Sequence, residues 1–139
     1  TIKKINKKLP NTHLVMHGSS SVPKELIDKI NNYGGKIKET YGVPVTEIQE
    51  GIKNGVRKVN IDTDLRLAST ASLREYLFKN NSIFDPRKYL SETKNAMKQI
   101  VKTRLKQFGT AENASKIKPI ELSKMAVKYR TGKIFQIIN

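Results

Sequence analysis

The spacing of apolar and polar residues changes several times along this chain, and each change marks an element. Ile2 to Pro10 is basic with no clear periodicity, and Pro10-Asn11 reads as a turn. Thr12-His13-Leu14-Val15-Met16 is a short, mostly apolar run, as expected of a strand buried on both faces. It stops at His17-Gly18-Ser19-Ser20-Ser21. Val22-Pro23 then opens a helix with Leu26, Ile27 and Ile30 on its apolar side, closed by Tyr33-Gly34-Gly35. Residues 36–44 are irregular. Thr46 can cap a short helix over 46–50, and Gly51, Asn54 and Gly55 close it.

Next comes an alternating run that predicts a second strand. Val56, Lys58, Asn60 and Asp62 are expected on one face, and Arg57, Val59, Ile61 and Thr63 on the other. It leads straight into a helix over 65–79, with Leu67, Thr70, Ala71, Leu73, Leu77 and Phe78 as its apolar stripe and Asn80-Asn81-Ser82 as its stop. Asp85-Pro86-Arg87 is an N-cap followed by proline at the first helical position, which starts another helix. Its stripe is Tyr89, Leu90, Ala96, Met97, Ile100, Val101, Leu105 and Phe108, and Gly109 ends it. A last helix is expected over 119–129 with Ile120, Leu122, Met125 and Ala126 inward. Two strand–turn–helix units followed only by helices make an α/β chain. Two parallel strands do not form a stable sheet by themselves. The chain is therefore expected either to pair with other copies or to be the C-terminal portion of a larger α/β barrel or doubly wound protein.

Composition narrows the setting. At 139 residues the length suits one domain or part of a larger one. No apolar run approaches the ~18 residues of a membrane span, and no signal-peptide pattern opens the sequence. Cysteine is absent, so there is no disulfide framework, and a cytoplasmic setting is the default expectation. The net charge of +15 suits anionic small molecules as partners. Nucleic acid is disfavoured as a primary partner, because lysines outnumber arginines 21 to 6 and are spread along the whole chain.

The candidate chemistry lies at the ends of the two strands, where α/β folds place ligands. His17 ends the first strand and suits a metal ligand or an acid–base group, or else a hydrogen-bonded structural histidine. Gly18 lets a ligand approach the backbone, and Ser19, Ser20 and Ser21 add hydroxyls beside amides that open a helix, an arrangement that binds anions. The plain alternative is a serine-rich loop with an N-cap. In the second turn, Asn60 and Asp62 are expected to project into one cavity, Asp62 to accept from a substrate hydroxyl, and Thr63 to offer a hydroxyl and an amide to an anion. The plain alternative there is that Asp62 and Asp64 merely cap the helix.

Several of these stretches resemble one family. His17-Gly18-Ser19-Ser20-Ser21-Val22-Pro23, Ile37-Lys38-Glu39-Thr40-Tyr41-Gly42-Val43-Pro44 and Gly55-Val56-Arg57-Lys58-Val59-Asn60-Ile61-Asp62-Thr63-Asp64 resemble class II, zinc-dependent fructose-1,6-bisphosphate aldolases. Phe84-Asp85-Pro86-Arg87 and Phe108-Gly109-Thr110-Ala111 are similar to the C-terminal region of the same family, so the likeness covers nearly the whole chain. The resemblance implies a (β/α)₈ TIM barrel. This chain would be a single partial domain of it, with the last two βα units over residues 1–79 and a C-terminal helical extension over 80–139.

By that resemblance the cofactor is Zn²⁺ and His17 is one of its three ligating histidines. Gly18 and Ser20 would line a phosphate and monovalent-cation site. Asn60 would be the catalytic residue that contacts the reacting part of the substrate. Asp62 and Thr63 would hold the dihydroxyacetone-phosphate portion, and Arg66 would reach the far phosphate in a neighbouring subunit. The implied reaction is reversible aldol cleavage of fructose 1,6-bisphosphate to dihydroxyacetone phosphate and glyceraldehyde 3-phosphate, in which zinc serves as a Lewis acid. The implied partners are the sugar bisphosphate and triose phosphates, the missing N-terminal half of the barrel, and further copies in a homo-oligomer.

The family's other two zinc histidines and its catalytic aspartate lie upstream and have no counterpart here. His13 does not replace them, since four residues of extended chain put it roughly 13 Å from His17. Ala111-Glu112-Asn113-Ala114 also departs from a turn that usually carries glycine. Alone, the chain is expected to be inert. The alternative is a non-catalytic, phosphate-binding or self-associating remnant of such an enzyme.

Overall fold

A computed structural model describes residues 1–131 of the chain. They fall into two compact units, residues 1–109 and the residues from Thr110 onward. Helix α1 (Ile2–Lys8) opens the first unit, where no periodicity was expected. Four lysines hide its pattern: Ile2 and Asn6, one helical turn apart, are its half-buried positions. Ile2 Cδ1, Val56 Cγ2 and Met16 Sδ converge on Gly51, where a Cβ would lie 3.5, 3.4 and 3.9 Å from them. A glycine there lets α1 close against the sheet.

Strands β1 (Leu14–Met16) and β2 (Val56–Val59) are parallel. Leu14 pairs with Val56, Val15 with Lys58 and Met16 with Val59, so Arg57 is an extra residue that bulges from β2. The bulge breaks the expected alternation. Val56 and Val59 share the covered face with Leu14 and Met16, and Lys58 joins Val15 on the other. Nor is β1 buried on both faces. Val15 is 49% exposed, because no element among the described residues covers its side.

The helices between and after the strands build the core. Helix α2 (Lys24–Asn32) follows Pro23, which takes the N-cap position. Its Ile27 and Ile30 bury against Leu67 and Ala71 of α4 (Thr63–Lys79), with Val22, Leu26 and Ile37 packed around them. Each fully buried aliphatic side chain contributes about 1.5–3 kcal/mol. Helix α3 (Val45–Lys53) is longer than expected. Pro44 is its N-cap, and Thr46 is its second residue and makes no cap.

The buried face of α4 is Asp64, Leu67, Ala68 and Ala71, spaced i, i+3, i+4, i+7. Thr70, Leu77 and Phe78, expected inside, are exposed instead, and α2, which ends at Asn32, does not cover them. Phe78 packs its ring against Tyr33 with centroids 5.3 Å apart.

Helix α5 (Pro86–Gln107) starts as expected, with the Asp85 carboxylate accepting from the Arg87 amide at 3.0 Å and Pro86 at the first position. It runs along α4 with Thr93 and Arg104 buried and Met97 and Ile100 half-buried between them. That line turns Leu90, Val101 and Leu105 outward, where the expected stripe had them inside. The second unit holds a 3₁₀ turn at Ala114–Lys116 and helix α6 (Leu122–Arg130). Of the four positions expected inward there, Met125 is half-buried, while Ile120, Leu122 and Ala126 are exposed. The described part of this small unit offers no second layer to cover them.

Candidate functional site

The carboxyl ends of β1 and β2 bring the two predicted turns together. The ladder outlasts the strands by one bond, since the Asn60 amide donates to Met16 O at 3.0 Å. One residue further, His17 Nδ1 lies 2.7 Å from Asn60 Nδ2. As drawn, the amide donates and the ring nitrogen accepts; turning the Asn60 amide over reverses the roles and frees the other ring nitrogen as a lone-pair donor. His17, Gly18, Asp62, Thr63 and Arg66 are exposed, while Ser20 and Asn60 are half-buried.

Ser20 joins the two turns a second time. Its Oγ accepts from the amides of Asp62 at 3.3 Å and Thr63 at 3.1 Å, so it caps α4 from outside that helix. The Thr63 amide, expected for an anion, is therefore taken by Ser20. A hydroxyl that accepts two bonds keeps its own proton for an incoming oxygen. Gly18, at φ +62, has no atom within 4 Å of where a Cβ would stand, so that side of the turn is open.

Neither aspartate of the second turn is a simple cap. Asp62 lies beyond the strand, at the N-cap position of α4, and makes no cap bond. It pairs with Arg66 at 2.8 Å, with the two side chains 69% and 77% exposed. Such a pair is worth about 0–1 kcal/mol, so Asp62 holds Arg66 only weakly.

Asp64 is fully buried. It accepts from the Val22 amide at 2.8 Å, the Ser21 amide at 3.3 Å and the Ser21 hydroxyl at 3.1 Å. Arg104 of α5 reaches the same carboxylate through Nη2 at 2.8 Å and Nε at 3.2 Å. Burial pushes the Asp64 carboxyl up, but donation from Arg104, from the Val22 and Ser21 amides and from the Ser21 hydroxyl outweighs it, and the group sits below its ordinary value. Arg104 also donates to the Ser21 hydroxyl and, through Nη1, to Gln107 Oε1 at 2.6 Å.

The first turn is clamped on two more sides. Ser19, fully buried, donates to Met16 O at 2.8 Å. The Val43 amide donates to Ser20 O at 3.0 Å, and a Cβ on Gly42 would fall 2.2 Å from that oxygen. Backbone therefore rests directly on backbone at Gly42. From the sequence, Asp64 figured only as an alternative helix cap and Gly42 only within a family-like stretch, and Arg104 had no role. Asp64 was nonetheless visible as the head of the i, i+3, i+4, i+7 face of α4, and Arg104 as the fourth member of the line Thr93, Met97, Ile100.

Zinc in a structural or catalytic site takes three or four protein ligands. His17 supplies one, and no cluster of three His, Cys, Asp or Glu side chains occurs among the described residues. The residues of this chain do not by themselves fit a zinc ion.

A hydroxyl-rich turn and a capped helix start face each other at the carboxyl ends of two parallel strands, the end at which α/β folds place ligands. Comparison with known sequences gives the family. Residues 1–113 match the family "Fructose-bisphosphate aldolase class-II", and the chain belongs to that family, a family of lyases. It is 63% identical over 138 residues to a fructose-bisphosphate aldolase of Stutzerimonas stutzeri, covering 99% of this chain and 39% of that protein. Against the fructose-bisphosphate aldolase of Pseudomonas aeruginosa the identity is 62%, with the same coverages. Against that of a Nostoc species it is 61% over 133 residues, or 96% of this chain and 37% of the relative. The chain thus spans 37–39% of the length of these curated relatives.

Proposed function

We propose that the chain is the C-terminal part of a class II fructose-1,6-bisphosphate aldolase, with residues 1–79 as the last two βα units of a (β/α)₈ barrel and 80–139 as helical extension. The whole enzyme would cleave fructose 1,6-bisphosphate to two triose phosphates as a cytoplasmic homo-oligomer. The observation that carries the reading is the double link between the strand ends, His17 to Asn60 and Ser20 to the Asp62 and Thr63 amides. It sets a metal-ligand type of side chain beside a phosphate-binding type of turn, as an aldol substrate with a phosphate near its carbonyl requires.

In this reading His17 gives one ligand to a zinc ion whose other ligands lie outside this chain. Gly18 and Ser20 bind phosphate and a monovalent cation, and Asn60 is the catalytic contact to the reacting carbons. Asp62 and Thr63 hold the dihydroxyacetone-phosphate portion, and Arg66 leaves Asp62 to meet the far phosphate. Alone, the chain is inert.

The test is a chimera in which these 139 residues replace the matching segment of the Stutzerimonas stutzeri aldolase. Zinc-dependent cleavage of fructose 1,6-bisphosphate is expected, lost on His17→Ala and absent from the 139-residue chain assayed with zinc. A folded, zinc-loaded chimera with no cleavage would overturn the proposal.

A further inference from the structure

The pair formed by Asp64 and Arg104 is buried within the first unit, with side chains 0% and 10% exposed, and both make their bonds to protein groups. Stability does not account for such a pair, since well-packed apolar residues in place of a buried ion pair are often neutral or stabilising. What the pair does is directional. Arg104 spends two donors on one carboxylate oxygen and one on the Ser21 hydroxyl, while Gln107 Oε1 holds its remaining arm. The main-chain oxygen of Gln107 in turn accepts from Gln49 of α3 at 2.8 Å, so the end of α5 is anchored to a third element. The guanidinium plane is fixed from all sides.

The carboxylate it orients holds a strained backbone. Val22 has φ +51, a left-handed conformation that a β-branched residue rarely adopts, and it stands immediately before Pro23. Such conformations persist only where the surroundings over-determine them. Here the Val22 amide is tied to Asp64 Oδ1 and the Ser21 amide to Oδ2. Without the Arg104 fork the carboxylate would be a buried charge without its cation, drawn toward water. Val22 would then be free to relax to negative φ, and Ser20, two residues earlier, would move with it. That serine caps α4 and faces the candidate phosphate position.

We propose that Arg104 is a positioning residue for both binding turns, setting through Asp64 the distance between the Ser20–Val22 turn and the start of α4. The proposal rests on the aldolase reading above. Lysine cannot replace Arg104, because a point charge gives neither the paired donors nor the fixed plane.

The test uses the same chimera with Arg104→Lys. KM for fructose 1,6-bisphosphate should rise at least about tenfold and more than kcat falls, with zinc content and melting temperature close to the parent, because uniform ligand binding is what the turns supply. A KM within twofold of the parent would sink the idea. The double variant Asp64→Asn/Arg104→Met removes both charges, so folding is kept and the same rise in KM is expected; an unchanged KM there also refutes it. An inactive parent chimera counts against the aldolase reading alone. The positioning claim is then decided by amide hydrogen exchange in the 139-residue chain, where Arg104→Lys should speed exchange at Ser21 and Val22 at least tenfold, and unchanged protection overturns it.

Discussion

Asp64→Asn is the sharpest perturbation the fold offers. Asparagine keeps the shape of the side chain and an acceptor for the Val22 amide, now 2.8 Å from Asp64 Oδ1. It removes the charge opposite Arg104, whose side chain is 10% exposed. Removing one partner of a buried pair costs about 3–5 kcal/mol, a large share of the ~5–15 kcal/mol that holds a typical domain. In Asp64→Asn/Arg104→Met neither charge is left, and the remaining loss is the bonds made by the Ser21 amide, the Ser21 hydroxyl and Gln107 Oε1, about 2–4 kcal/mol. A double-mutant cycle should therefore show about 2 kcal/mol or more of coupling. Urea unfolding of the 139-residue chain at pH 7, followed by circular dichroism, measures all four corners.

The pH dependence has a definite sign. The carboxyl sits below its ordinary value of 3.8, so the native state favours the ionised form. Its stabilisation is complete above that value and fades as pH falls through the native one, so the parent should approach Asp64→Asn in strong acid. A loss under ~1 kcal/mol for the single variant, or strict additivity in the double, would refute the reasoning.

Gly42→Ala would place a Cβ 2.2 Å from Ser20 O and 2.5 Å from the Ser21 carbonyl carbon, so the first turn must move. The expected cost is about 3 kcal/mol in urea unfolding, and a loss below ~1 kcal/mol would show that the backbone contact is not tight. Glu75 bridges Lys29 of α2 at 2.8 Å and Lys79 at 2.6 Å. Donation from Lys29 and then from Lys79 draws its carboxyl from 4.5 down to about 2. Its contribution is thus present above pH 4.5 and is lost between there and about 2. Because the Glu75 side chain is 26% exposed, solvent and salt screen these pairs. Glu75→Gln should cost on the order of 1 kcal/mol at pH 7 and low salt, less at 1 M salt and nothing well below pH 2, as thermal melts would read.

Much of the fold was legible because local chemistry and burial agreed. Asp85-Pro86 started a helix in the sequence and does so in the fold, and Ile27 and Ile30 packed as their spacing said. The readings failed where a tertiary partner decides the outcome. Nothing local shows that α2 stops short of Leu77, or that Arg104 faces inward, since an arginine among lysines on α5 reads as one more solvated charge until Asp64 is seen opposite. The site was legible as two turns, whereas what holds them together was not, because the clamps at Gly42, Asp64 and Arg104 come from segments 22 or more positions away in sequence from Ser20.

The bulge at Arg57 shows how one irregularity shapes the site. With unbroken pairing from Leu14 and Val56 onward, Val15 would stand opposite Arg57 and His17 opposite Val59. The extra residue advances β2 by one position, so Val15 meets Lys58 and Met16 meets Val59. Continued for one more residue, that register sets His17 opposite Asn60, and their side chains are indeed 2.7 Å apart. Side chains alternate with a strict period of two, so a slip of one residue would send Asn60 to the helix-covered face. Arg57 itself folds back onto the Ile52 and Val56 carbonyls at 3.0 and 3.1 Å and so takes no side-chain position in the ladder. The pairing of histidine with asparagine, on which the aldolase reading turns, follows from an arginine that leaves the sheet.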